Sequence, residues 1–223
     1  MTGPRRDWRD VAAMSGRRLF VAVPLDRAAT SAVAEVVGAI RSGDDDGQPR
    51  RSRGRARVRW VRLDGLHVTL RFLGPTPEEQ LEVLRGVIES VAAASGPFRV
   101  VIAGAGAFPD LERPRALWLG IDTGADELTG LAASLEAGLT AAGWPPADKP
   151  FKPHLTVARV EGAVAAGTAR RLVDVAAGLG VGSPVDRVVL FESITGQGPA
   201  RYEAIASATL GGADGLHGSP LRR

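Results

Sequence analysis

The chain contains no cysteine. That absence removes disulfides, thiolate nucleophiles, iron–sulfur clusters and cysteine zinc sites together. Histidine is scarce, with His67, His154 and His217 making up the full set, so any metal would have to draw on carboxylates. Lysine is scarcer: Lys149 and Lys152 are the only two, leaving 28 − 2 = 26 arginines to supply the remaining cations. No apolar run approaches the roughly 18 residues needed to cross a bilayer. Residues 1–16 carry Arg and Asp where a secretory signal would be apolar. The expectation is a protein with no membrane partner and a cytoplasmic location.

What is present suits a folded enzyme or binding protein. The 223 residues are 44% hydrophobic and 24% charged, enough to bury a core in one domain or two small lobes. The pI near 10.1 suggests a nucleic-acid binder, yet the net charge is only +3. Much of the basic character is local: Arg50 to Arg62 holds seven arginines in thirteen positions. This run overlaps a Gly-, Pro- and charge-rich stretch, 41–55, that reads as a solvated insertion. The competing reading is an electrostatic arm that draws in RNA.

Short strand-like runs alternate with helical patterns. Strands are expected at 18–25, 57–62, 66–73, 98–107, 115–121, 153–160, 185–192 and 201–210. Helices are expected at 28–40, at 76–94 with Thr76 as N-cap and Pro77 in the first turn, at 126–142 and at 164–177. The order predicts an α+β fold of two pseudo-symmetric lobes, each with an antiparallel sheet and helices. The boundaries are a tail at 1–16, one bilobal domain at 17–210 and a second tail at 211–223. The lobes would be built approximately from 17–95 and 96–210 with exchanged strands. His217 falls in the second tail and carries no assigned role.

Two of the three histidines open the same four-residue frame, His67-Val68-Thr69-Leu70 and His154-Leu155-Thr156-Val157. Residues i and i+2 of a strand share a face, so each frame presents an imidazole beside a hydroxyl. Val68, Leu70, Leu155 and Val157 turn the other way, into a core. Two such frames among three histidines arise by chance on the order of once in ten thousand. A pair facing one central cleft suits in-line displacement at phosphorus. One neutral imidazole takes a proton from the nucleophile and one protonated imidazole supplies the leaving oxygen. The hydroxyls of Thr69 and Thr156 can donate to non-bridging oxygens. Two histidines without carboxylates at ligand spacing do not make a zinc site, so neither a metal nor another cofactor is expected.

At these residues the chain resembles the two-histidine (2H) phosphoesterases, and within them the RNA 2′,3′-cyclic phosphodiesterase or 2′-5′ RNA ligase-like (LigT-like) family. The likeness covers the strand from Arg18 to Leu25, the block from Trp60 to Gly74, the block from Pro150 to Arg159, and Leu190-Phe191-Glu192-Ser193 with Gly198, Pro199 and Tyr202. It implies cleavage of a 2′,3′-cyclic phosphate to a 2′-phosphate without metal. It also implies His67 as proton donor, His154 as proton acceptor and Arg159 as phosphate ligand. Parity puts Arg159 on the face opposite His154 in a regular strand, so this last role demands a bulge or bend. Arg71 shares parity with His67 and is a second candidate for the phosphate. Phe72 and Phe151 are candidates for stacking a base, with core packing as the competing expectation. The substrates implied are RNA ends or small 2′,3′-cyclic nucleotides, and a monomer is expected. Two other readings stay open: 2′-5′ joining of RNA ends by the same site, and a non-catalytic module that binds a nucleotide or an RNA end.

Overall fold

The computed structural model describes residues 16–44, 57–161, 166–194, 196 and 200–211. The tail at 1–15, most of the Arg-rich insertion and residues 212–223 with His217 lie outside the described residues. The elements run β1 (Arg17–Pro24), α1 (Arg27–Asp44), β2 (Arg57–Trp60), β3 (His67–Thr76), α2 (Leu81–Ala93), β4 (Phe98–Phe108) and β5 (Ala116–Ile121). They continue with α3 (Ala125–Ala141), β6 (His154–Glu161), α4 (Ala166–Val175), β7 (Val181–Val185), β8 (Arg187–Ile194) and β9 (Arg201–Thr209). Short 3-10 turns at Leu63–Gly65, Glu78–Gln80 and Ala176–Gly178 connect them.

Two antiparallel sheets form, ordered β3-β1-β8-β9 and β2-β6-β5-β4-β7. Each buries one face under two helices, because each helix carries an apolar stripe at helical spacing. Leu81, Leu84, Ile88 and Ala92 of α2, with Leu128, Leu131, Leu135 and Leu139 of α3, cover the first sheet around Val21, Val68 and Leu190. Ala29, Val33, Val37 and Ile40 of α1, with Ala169 and Leu172 of α4, cover the second around Leu117, Leu119, Leu155 and Val157. The two layered units are therefore not the two halves of the chain. The first sheet takes β1 and β3 from one half and β8 and β9 from the other, while α1 crosses to the second sheet and α3 crosses to the first.

Local differences from the expected elements have local causes. Asp26 caps α1, its Oδ1 accepting from the Ala29 amide at 2.8 Å. The helix then continues to Asp44, so the first residues of the expected insertion are its last turn. Thr76 does not cap α2: it is buried at the end of β3, and its hydroxyl donates to the Gly74 carbonyl at 3.3 Å. A 3-10 turn at Glu78–Gln80 delays the helix to Leu81. β7 was hidden in the sequence by Gly182 and Pro184. Proline is tolerated there because β7 is an edge strand, paired with β4 alone.

Leu155, fully buried beneath the second sheet, anchors the strand that carries His154. Leu155→Ala should lower unfolding free energy by about 2–5 kcal/mol in urea titration, as cavity-forming truncations do.

Candidate active site

The histidine strands β3 and β6 come from different sheets and lie against one another. Each imidazole is held in the same way. The Nδ1–H of His67 donates to the Gly65 carbonyl at 2.6 Å, and that of His154 donates to the Lys152 carbonyl at 2.7 Å. A carbonyl only accepts, so this contact assigns the proton to Nδ1 and leaves Nε2 as the nitrogen that can exchange one. In both cases the acceptor is two residues earlier. Leu66 is extended at φ −64°, ψ 131°, and Pro153 has its φ fixed near the same value by its ring.

Aromatic rings close around each imidazole. Phe20 and Phe191 lie 4.8 and 5.7 Å from the His67 ring, and Tyr202 meets it edge-on at 4.9 Å. Phe108 meets the His154 ring edge-on at 5.0 Å, with Trp118 behind it at 6.5 Å. The indole of Trp118 packs directly against Gly106 and leaves no room for a Cβ there. Burial pulls both imidazoles below the ordinary histidine pKa, opposed in each by the backbone hydrogen bond, and the Arg159 charge lowers His154 further. Burial raises the Tyr202 phenol, and Arg159 partly offsets this. One guanidinium thus acts on His154 and on the phenol that touches His67, which links the two sides of the site.

A bulge puts Arg159 there. The β5–β6 ladder steps from Trp118 opposite Thr156 to Leu117 opposite Ala158, skipping Val157. Val157 and Ala158 are consequently both buried, and Arg159 returns to the face of His154 and Thr156. The Val157 carbonyl is not left unpaired, since it accepts from the Val61 amide at 3.0 Å. β3 has the same irregularity at the same place: Ala22 faces Thr69, Val21 faces Arg71, and Leu70 is skipped. The position equivalent to Arg159 is therefore Phe72, which lies opposite Phe20 on the His67 face and is 59% exposed.

The same bulge overturns the expectation for Arg71. It turns Arg71 toward the helices, where Nε bonds Glu136 of α3 at 2.6 Å and the guanidinium also donates to the Pro145 and Phe72 carbonyls. Arg71 is a structural tie and does not share the face of His67 and Thr69. Phe151 packs against the first core, in agreement with its competing expectation. Thr69 and Thr156 are half-buried beside their histidines. In the sequence Tyr202 stands out only as part of a closing strand, and nothing local marks Phe20, Phe108, Phe191 or Trp118 for a site role. No spacing signal links these residues to the histidines, because strand pairing alone brings them together. Among the described residues no three His, Asp or Glu side chains gather as a metal site would require.

Two helix-backed sheets, each offering a histidine strand to a shared cationic site, define a two-lobed phosphoesterase architecture. The chain belongs to the 2′-5′ RNA ligase superfamily, whose profile matches residues 29–197. Among curated relatives, the RNA 2′,3′-cyclic phosphodiesterase of Aeropyrum pernix is 35% identical over 157 residues, 68% of this chain and 88% of that protein. The one from Geobacillus stearothermophilus is 32% identical over 93% of this chain and 62% of that protein. The one from Aquifex aeolicus is 38% identical over 46% of this chain, an alignment that spans only 55% of that protein. Of solved structures, TT0787 of Thermus thermophilus superposes with a TM-score of 0.65 at 29% identity, covering 88% of this chain and all of that one. Escherichia coli LigT complexed with 3′-AMP gives 0.61 at 25% identity, covering 87% and 98%.

Replacing Arg159 by Gln removes a cation that disfavours the charged form of His154. The His154 titration midpoint should rise while that of His67 stays in place, which proton NMR of the imidazole Cε1–H resonances would show.

Proposed function

We propose that this protein is an RNA 2′,3′-cyclic phosphodiesterase that opens a nucleoside or RNA 2′,3′-cyclic phosphate to the 2′-phosphate by paired-histidine acid–base catalysis. The observation that carries the reading is the matched pair of Nδ1-anchored imidazoles on facing strands, with Arg159 acting on both sides. The names of the curated relatives support the choice of substrate.

Each group has a distinct task. Arg159 and the hydroxyls of Thr69 and Thr156 hold the non-bridging oxygens, where charge accumulates in the transition state. His154, kept neutral by burial and by its arginine neighbour, accepts the proton of the attacking water through Nε2. The new P–O bond forms as the P–O3′ bond breaks, and Nε2–H of His67 protonates the departing O3′. Phe72, exposed on the same face, stacks the base. With an RNA 5′-hydroxyl in place of water as the nucleophile, the same residues would join it to the 2′,3′-cyclic phosphate, a 2′-5′ linkage forming as the P–O3′ bond breaks, a reading favoured by the superfamily's description as 2′-5′ RNA ligases. The proposal carries with it a monomer that processes RNA in the cytoplasm. Among the described residues no helix is long and apolar enough to cross a membrane.

His67→Ala and His154→Ala should each lower kcat on 2′,3′-cyclic AMP by about 10²–10⁴-fold, with wild-type activity unchanged by EDTA. Full activity in either variant overturns the reading, and incubation with tRNA halves tests the joining direction.

The pH dependence follows from the two lowered pKa values. Free enzyme needs His154 neutral and His67 protonated, so kcat/KM should be bell-shaped with its maximum below about pH 6.5 and should fall toward neutrality as His67 loses its proton. Bound phosphate favours both imidazolium forms, so the kcat profile should lie at higher pH. Rate measurements on 2′,3′-cyclic AMP from acid through neutral pH would check both shifts.

A further inference from the structure

The arginine-rich run from Arg50 to Arg62 passes through β2, and one of its members, Arg59, is placed beside the site. Arg59 sits directly opposite Arg159 in the β2–β6 ladder. Paired residues of antiparallel strands project from one face. Val58 and Trp60, on either side of Arg59, pack against the second core, so Arg59 emerges on the face of His154, Thr156 and Arg159. Two like charges opposite one another destabilise a sheet, and nothing in the packing of β2 requires the second one. Glu161 offsets part of that cost through an ion pair with Arg59 at 2.8 Å, with the two side chains 45% and 50% exposed. An exposed pair of this kind is weak, so an incoming phosphate can displace the carboxylate readily. Because β2 is the outer edge of its sheet, Arg59 stands one strand spacing, about 4.8 Å, farther out than Arg159. A planar guanidinium there suits bidentate contact with a phosphodiester.

We propose that Arg59 forms a subsite for the phosphodiester on the 5′ side of the terminal nucleotide, making the preferred substrate an RNA oligonucleotide ending in a 2′,3′-cyclic phosphate over a free cyclic mononucleotide. This rests on the reaction proposed above and adds substrate size to it. The test compares kcat/KM on 2′,3′-cyclic AMP, which lacks an upstream phosphate, with that on the dinucleotide ApA 2′,3′-cyclic phosphate, which has one.

Arg59→Ala should reduce the ratio of dinucleotide to mononucleotide kcat/KM about tenfold or more, as loss of a charged hydrogen bond does. Arg59→Lys, which keeps the charge without the fork, should fall between. Raising salt should erode the ratio in wild type and less so in Arg59→Ala. Binding of the unreactive 2′-phosphate products, measured by calorimetry, should show the same change in ratio. An unchanged ratio in Arg59→Ala overturns the subsite, as does an equal loss on both substrates with unaltered thermal melting. Failure of wild type to turn over either compound overturns the reaction itself, and the calorimetric ratio still decides whether Arg59 recognises an upstream phosphate.

Discussion

The site depends on a hydrogen bond made twice, from a histidine Nδ1–H to the backbone carbonyl two residues before it. A free imidazole exchanges tautomers and rotates about χ2, and either motion would spoil the proposed proton transfer, which needs one nitrogen at one position. Tying Nδ1 to the main chain removes both freedoms and requires no carboxylate partner. That matters electrostatically. A carboxylate would raise the imidazole pKa and add negative charge to the site, whereas a carbonyl supplies orientation at little cost in field. Burial against aromatic rings then draws both histidines below their ordinary range, and Arg159 adds its share at His154.

The second constraint is the bulge that follows each His-x-Thr. A strand alternates faces, so a regular strand would show the cleft the histidine, the threonine and then every second residue. Skipping Leu70 in β3 and Val157 in β6 resets that alternation once. The reset delivers Phe72 on one side and Arg159 on the other to the faces that carry the histidines, and sends Arg71 to bind Glu136 instead. The two lobes thus use one backbone device to present different chemistry, an exposed aromatic in one and a cation in the other. Arg59 is a neighbour of that cation across the ladder and not a repetition of it.

The chemistry was more legible in the sequence than the architecture that assembles it. The His and Thr spacing shows through because strand parity over three residues is local and robust. Arg159 could be flagged as needing a bulge, but the location of the bulge is written in pairing with β5, which no local pattern contains. Arg71 departs from its expected face for the same reason, since its bulge is written in pairing with β1. The exchange of α1 and α3 between sheets escaped the halfway division of the chain because apolar stripes tell a helix that it must be covered, not by which sheet. The ring of Phe20, Phe191 and Tyr202 around His67 draws on β1, β8 and β9, strands from both ends of the fold, a contact that only the folded register creates.

The most direct test is nitrogen-15 NMR of histidine-labelled protein, with resonances assigned through His67→Gln and His154→Gln variants. The account predicts that at neutral pH both imidazoles are uncharged with the proton on Nδ1, and that both titrate below the ordinary histidine range. A neutral form protonated on Nε2, or an imidazolium persisting above neutral pH, at either histidine would contradict it.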